Sequence, residues 1–411
     1  MPTLNETQRA ALQVAVCLGL ALAWRLSLAP RYFGWEEGDY GNVMMVREVL
    51  DSSFTWFRTA HMPGWYSLGA VARSLWPDPR VSVLALTMFF SVANVGIAAL
   101  LSRKLLGAGA AWLVGIWLAF QPEMALYGSS TLRSPVFTSL GFAGMALLIW
   151  GGRSSGFGLT AAAFLVRMEG FFIYYLPALW AWARDGGRRM RSLLLPVAIL
   201  AGVVLGWQIY ITEVHGESFF LRGPFEINLA PDVHGEMSSG FDWGEWLAQG
   251  WASTWGLLHW TLPRKLGWTW CLLALLGTAA LLRGTGRPGS RVVVLYAGFA
   301  LLFWLGEAML AHHHVNPGAW EQAPCGILDP EHNLYWVWLL HSVPFLALLA
   351  GAGWTWIERR LQPLSPPIRG AVLGLVVASA LPGFANESVL QLERSELWNR
   401  PQLELSTWFE E

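Results

Sequence analysis

Charge is what this sequence has least of. Of its 411 residues only 13% are Asp, Glu, Lys or Arg, where an average soluble protein has roughly 25%. That scarcity excludes a disordered chain, which is kept open by high charge and few aromatics, and argues against a soluble enzyme. Neither sign is in excess: 27 Lys plus Arg face 28 Asp plus Glu, a formal −1. The basic surplus of a nucleic-acid binder is therefore missing. Cysteine is scarce too. Cys17, Cys271 and Cys325 lie far apart, two of them in apolar runs, which is neither a disulfide framework nor a zinc spacing. The chain lacks a Walker-type Gly-rich loop, a G-x-S-x-G elbow and H-E-x-x-H. Chemistry driven by ATP in a soluble fold is thereby excluded, and a donor arriving from the lipid phase fits better.

What is present is apolar. The chain is 54% hydrophobic and holds 26 Trp. Its apolar runs predict an all-α, polytopic integral membrane protein. Eleven spans are expected, at 10–29, 81–102, 108–122, 134–151, 156–167, 170–183, 193–212, 266–282, 292–311, 334–356 and 370–384. The first follows Arg9 and contains Ala21-Leu22-Ala23, as a cleaved signal peptide would. Its 20 residues are also long enough to cross a ~30 Å hydrocarbon core, and it reads as an uncleaved span. The fifth and sixth are short, and predict a pair of half-helices bent at Arg167-Met168-Glu169-Gly170.

Basic residues set the sides. Arg9, Arg103-Lys104, Arg153, Arg184 to Arg191, Arg283 to Arg291 and Arg359 to Arg369 fall on one side of the span count, with only Glu6, Asp185 and Glu358 among them. That side is expected to be cytoplasmic, with the N-terminus. The other side then holds 31–80, 213–265, 312–333 and 385–411. Segments 1–384 read as one transmembrane domain, with 31–80 a catalytic outer loop and 213–265 a second large loop; 385–411 reads as an amphipathic outer tail. Within 31–80, Val43 to Leu50 and Gly64 to Trp76 have the spacing of helices lying in the interface, the latter with Trp65, Leu68, Val71, Ala72 and Leu75 on one face. Trp35, Trp56, Trp65, Trp76, Trp243, Trp246, Trp251, Trp255, Trp260 and Trp268 stand near boundaries, as an aromatic belt does.

The densest polar cluster is Trp35-Glu36-Glu37-Gly38-Asp39-Tyr40, just beyond the first span. Carboxylates crowded together hold protons more tightly, which suits a general base; a solvated loop with capping acids is the plainer account. Gln121-Pro122-Glu123 and Arg133 end the third and fourth spans. Arg167 and Glu169 lie in the middle of an apolar stretch, where ionisable groups are costly and are functional candidates, or a structural ion pair between helices. Arg167 also has the planar fork that binds phosphate. Glu307, His312, His313 and His314, with Asp329, Glu331 and His332, flank the 312–333 loop. Neighbouring His diverge by about 100° on a helix, so a divalent metal would need one or two of them plus Glu307 or His332. Hydrogen bonding to substrate by one His is preferred, and no cofactor is expected.

The order of these features resembles the C superfamily of membrane glycosyltransferases (GT-C), in particular its branch with protein O-mannosyltransferases and the aminoarabinose transferase for lipid A. Trp35 to Tyr40, followed by Val43 to Leu50, is similar to that branch's acidic motif and surface helix. His61-Met62-Pro63-Gly64-Trp65-Tyr66 is similar to a polar residue, Pro-Pro and an aromatic pair. Arg103 to Gly107, Gln121 to Arg133, Arg167 to Gly170, and His332-Asn333-Leu334-Tyr335 leading to Pro344-Phe345-Leu346 complete the series. It covers nearly the whole chain, and the order of motifs carries it. The chain departs from the pattern at Glu36 (usually Asp), Gly64 (Pro), Pro135 (an acid) and His332 (Arg).

The resemblance implies an inverting glycosyltransferase that takes a sugar from a polyprenyl-phosphate donor. The acceptor would be a lipid, glycan or protein on the non-cytoplasmic face, in a bacterial inner membrane. Glu36, Glu37 and Asp39 are the expected catalytic carboxylates. His61, Glu123, Arg133, Arg167, Glu169, His313, His332 and Tyr335 are the expected substrate contacts. A transporter or flippase, with broken spans and intramembrane charge, is the alternative from another class; a non-catalytic scaffold on the same fold is a third.

Overall fold

The computed structural model describes residues 5–32, 37–55, 62–76, 78–184, 190–216, 243–256, 258–259, 262–310 and 340–379. All regular structure among them is helical. In chain order the helices are α1 (Glu6–Tyr32), α2 (Glu37–Asp51), α3 (Pro63–Leu75), α4 (Pro79–Leu105), α5 (Ala108–Phe120), α6 (Pro122–Tyr127), α7 (Ser134–Trp150) and α8 (Arg153–Val166). A π turn, Phe171–Tyr175, then runs into α9 (Leu176–Arg184). After it come α10 (Met190–His215), α11 (Trp243–Gly256), α12 (Leu262–Leu266), α13 (Trp268–Leu282), α14 (Ser290–Leu310) and α15 (Val343–Leu361). The last is α16 (Pro366–Ser379).

A helix stands at each of the eleven expected spans. Three stretches, Glu6–Ala29, Val81–Leu105 and Val197–His215, are long and apolar enough to cross a membrane by length and composition; six more are shorter apolar helices. In lipid every backbone N–H and C=O must be satisfied within the protein, which leaves helices as the spanning element here. Helix ends are closed locally. Asn5 and Gln8 exchange reciprocal bonds of 2.9 and 2.8 Å at the start of α1, a capping box. At the end of α7, Gly151 adopts the left-handed conformation (φ 91°) that stops a helix.

Where α5 ends, a charged side chain takes over. Pro122 lacks an N–H, so α5 closes at Phe120, and Gln121 caps the short α6 by accepting from Met124 N at 2.7 Å. Arg25, fully buried in α1, reaches into this break. Its guanidinium donates to Ala119 O at 3.1 Å, Met124 O at 3.3 Å, Ser91 Oγ at 2.7 Å and its own helix at Ala21 O. One residue of α1 thereby holds α4, α5 and α6. The expected 108–122 span is thus α5, and the short α6 follows directly beyond it.

Close approach between helices uses glycine, as expected where lipid-like surroundings give no hydrophobic drive to association. On α13, a Cβ at Gly277 would collide with the Leu349 carbonyl of α15, and one at Gly353 with the Leu273 carbonyl. Gly144 and Gly156 do the same for α7 and α8. Trp117 and Trp270 stack at 4.4 Å across α5 and α13. By contrast α10 is mostly exposed.

Helices stand at both expected positions in 31–80, as α2 and α3, but the stripe expected on α3 does not stay together. Trp65 is fully buried in the core, with Tyr66, Gly69 and Ala70, while Val71 and Leu75 are exposed. Trp65 is therefore a core residue and not part of an aromatic belt. Periodicity shows an apolar face without distinguishing lipid from protein as its partner. Cys17 and Cys271 are free thiols.

Replacing Gly277 with Ala is expected to lower the melting temperature in detergent, since overpacking costs about 1–3 kcal/mol. Gly298→Ala, on α14 with nothing near its Cβ position, is expected to be neutral or stabilising by up to about 1 kcal/mol through helix propensity. Equal melting temperatures for the two variants would contradict the close crossing.

Candidate functional site

The basic segments assigned to one side do meet at one end of the bundle. Arg287 donates to Lys104 O at 3.0 Å, Arg359 to Thr285 O at 3.1 Å, and Arg103 to Gln13 Oε1 at 2.7 Å. The candidate site lies at the opposite end. There α8 stops at Val166, and the chain turns through Arg167 to Gly170 before the π turn. The expected bend at these residues is present. Arg167 and Glu169 sit in that turn, between the end of α8 and the π turn.

Arg167 is almost wholly buried, and Glu169 is one-fifth exposed. The guanidinium contacts Glu169 Oε1 through Nε at 3.1 Å and Nη2 at 2.5 Å, and Ser134 Oγ through Nη1 at 3.3 Å. Its carbon lies 5.9 Å from the Phe137 ring, close enough for a cation–π contact. Phe137 in turn meets the His341 ring edge-on at 4.4 Å, and His341 Nδ1 stands 2.9 Å from Thr138 Oγ1. Ser134, Phe137 and Thr138 are i, i+3 and i+4 on α7, so one helix face carries the whole ladder. Arg133, at the N-cap of α7, lies close enough to Arg167 and Glu169 to feel their charges. Arg133, Arg167 and Glu169 make a group of two cations and one anion.

Burial alone would push the Glu169 carboxyl up, but the adjacent Arg167, with help from Arg133, holds it below the ordinary carboxylate range. The carboxylate is therefore ionised at neutral pH.

The N-terminus of α3 closes over this turn. Gly64 lies against Leu165 O, where a Cβ would come within 2.8 Å. Glycine at this position, in place of the second proline of the resembled motif, follows from that contact. The site thus brings Arg133, Arg167 and Glu169 together. Glu123 is fully buried in α6, 2.5 Å from Gln121 Nε2, and is part of the Arg25-bound break. Glu37 and Asp39 belong to the first turn of α2, though only its backbone is described there. Glu36, His61, His313, His332 and Tyr335 lie outside the described residues. So do His312, His314 and most of the 213–265 loop; Glu307 is described in backbone only. Among the described residues no three of His, Cys, Asp and Glu come together.

Ser134, Arg25 and His341 were missed by the sequence reading. The last two had a signal: a lone ionisable residue inside an apolar run. Ser134 had none beyond its place beside Arg133.

This helical membrane bundle, with Arg167 buried in a turn at one end, has counterparts among solved structures. No protein-family model matches the sequence, and no curated protein matches it. The chain superposes on ArnT from Cupriavidus metallidurans bound to undecaprenyl phosphate with a TM-score of 0.61 and 17% identity, over 91% of this chain and 64% of that one. The apo state of ArnT gives 0.57 and 18%, over 90% and 63%. The chain spans a little under two thirds of the length of ArnT. The likeness shows that the chain shares the helical membrane fold of ArnT.

Replacing Glu169 with Gln is expected to cost about 1–3 kcal/mol at neutral pH, since it leaves Arg167 without its anion. A depressed folded pKa means that this stability is fully present above the unfolded carboxylate value of about 4.3 and is lost as pH falls through the lower folded value. Thermal melts of the two proteins should differ at pH 7 and draw together below pH 4. A constant difference across that range would contradict the pairing.

Proposed function

We propose that this protein is an inverting glycosyltransferase that uses a polyprenyl-phosphate sugar and acts at the non-cytoplasmic face of a membrane. The observation that carries the reading is the buried Arg167, bonded to Ser134 and Glu169, with Arg133 beside it. The fold likeness to ArnT, which has been solved with undecaprenyl phosphate bound, supports a lipid phosphate as its ligand. A guanidinium fork in a low-dielectric site binds phosphate bidentately and stabilises the charge that grows on it as it leaves.

In the proposed reaction a carboxylate among Glu36, Glu37 and Asp39 takes the acceptor's proton. The acceptor attacks the anomeric carbon from the face opposite the phosphate. The bond from that carbon to the phosphate oxygen breaks, and polyprenyl phosphate leaves with the electron pair. The phosphate departs ionised, so no strong general acid is required, and a nearby cation stabilises the charge that develops on it. His61, His313, His332 and Tyr335 are proposed to complete the substrate contacts. The acceptor is a lipid, a glycan or a protein. The basic end of the bundle, with the N-terminus, is proposed to face the cytoplasm, in the inner membrane of a bacterium.

The test is donor binding and turnover in membranes. Arg167→Ala is expected to weaken undecaprenyl phosphate binding in native mass spectrometry and to cut sugar transfer about 10²–10³-fold, as for loss of a transition-state donor. Arg167→Lys should restore only part of it. Ala at Glu36, Glu37 and Asp39 in turn should abolish transfer at one position while leaving undecaprenyl phosphate bound. Near-normal transfer in all three carboxylate variants sinks the mechanism, and solute uptake without covalent transfer would indicate a transporter.

A further inference from the structure

We propose a second anion site at the basic end of the bundle, built to hold the phosphate of an anionic membrane lipid and independent of glycosyl transfer. A cavity of about 390 Å³ opens there between the end of α9 and the α13–α14 turn. Arg184, Arg287 and Arg291 line it together with Ser290, and no carboxylate does among the described residues. Its volume falls in the range of small-ligand sites.

Three guanidiniums around one concavity repel one another, and an anion at their centre relieves that cost. Guanidinium forks match phosphate oxygens in geometry. Gly284 and Gly289 take positive φ (81° and 87°) on either side of the turn, and α14 starts at Ser290 with the positive end of its dipole toward the cavity. Part of the arginine set is held in place: Arg287 donates to Lys104 O and Arg291 to Leu282 O. Arg184 has no hydrogen bond among the described residues and is the one whose side chain is not tied down.

The surroundings favour a lipid over a soluble phosphate. Leu282, whose carbonyl receives Arg291, is 60% exposed, and Trp180, one turn before Arg184, is 58% exposed. Acyl chains lying along this apolar flank would bring a headgroup to the arginines. Basic pockets between helices at the cytoplasmic side are suited to anionic headgroups in this way.

The test uses the full chain purified in detergent, with dioleoyl phosphatidylglycerol, dioleoyl phosphatidylcholine or inorganic phosphate as the probe, read by native mass spectrometry. The wild type is expected to retain one phosphatidylglycerol in preference to phosphatidylcholine. Each of Arg184→Gln, Arg287→Gln and Arg291→Gln should weaken that retention roughly fivefold, and the triple variant should lose it. If the triple variant fails to fold, Arg184→Gln alone decides, since its side chain supports no described contact. Competition by inorganic phosphate, lost in the same variants, would support the phosphate site with a soluble source. Undiminished retention of phosphatidylglycerol in a folded variant overturns the proposal.

Discussion

The buried guanidinium of Arg25 is the contact on which the working end of this molecule depends. A proline has to end α5, and ending a helix in an apolar bundle strands carbonyl oxygens. Arg25 supplies the missing donors from a different helix. The same group reaches Ser91, whose hydroxyl also donates to Met124 O, and Ser129 returns a bond to the carbonyl of Arg25. The chain between α6 and α7 is thereby fixed on both sides. Ser134 and Arg133 follow directly, so the position of the Arg167 turn is inherited from a residue two helices away.

Two kinds of packing divide the bundle. Glycine crossings bind α7 to α8 and α13 to α15 so closely that backbone meets backbone. Aromatic ladders fill the centre, with Phe142, Tyr174 and Tyr296 each against Phe345. Between these walls the ionisable groups keep to the two ends. One end gathers arginines against helix carbonyls, the other a matched arginine–glutamate turn. Such a partition costs least when the apolar middle lies in lipid and both ends meet water.

The long apolar runs were legible because membrane-length hydrophobicity leaves few structural choices. The bend at 167–170 was legible for the same reason: two ionisable groups and a glycine interrupt the run. Arg25 and His341 were not, because a single polar residue barely changes the apolarity of a twenty-residue window. Nothing in the sequence separates α6 from α5 except Pro122, and a proline at a span end is also an ordinary stop. The 243–256 helix went unseen because its tryptophans suit an interface as well as a helix; Gly250 packs it against Met309 of α14. At the site, the sequence located Arg133, Arg167 and Glu169 but not that α7 joins them. That junction depends on which helices touch, and periodicity carries no such information.

The π turn at Phe171–Tyr175 has a consequence that reaches both ends. A π turn accommodates one residue more than the α-helical ladder would, and one residue of α-helix is about 100° of rotation. Ile173, Tyr174 and Tyr175 are all buried there. The extra residue sets the phase of everything after it. A chain one residue shorter would leave Arg167 where it is and swing α9 by a quarter turn or more, carrying Arg184 away from Arg287 and Arg291. The wide turn is thus the dial that aligns the two ends of one helix, each to its own neighbours.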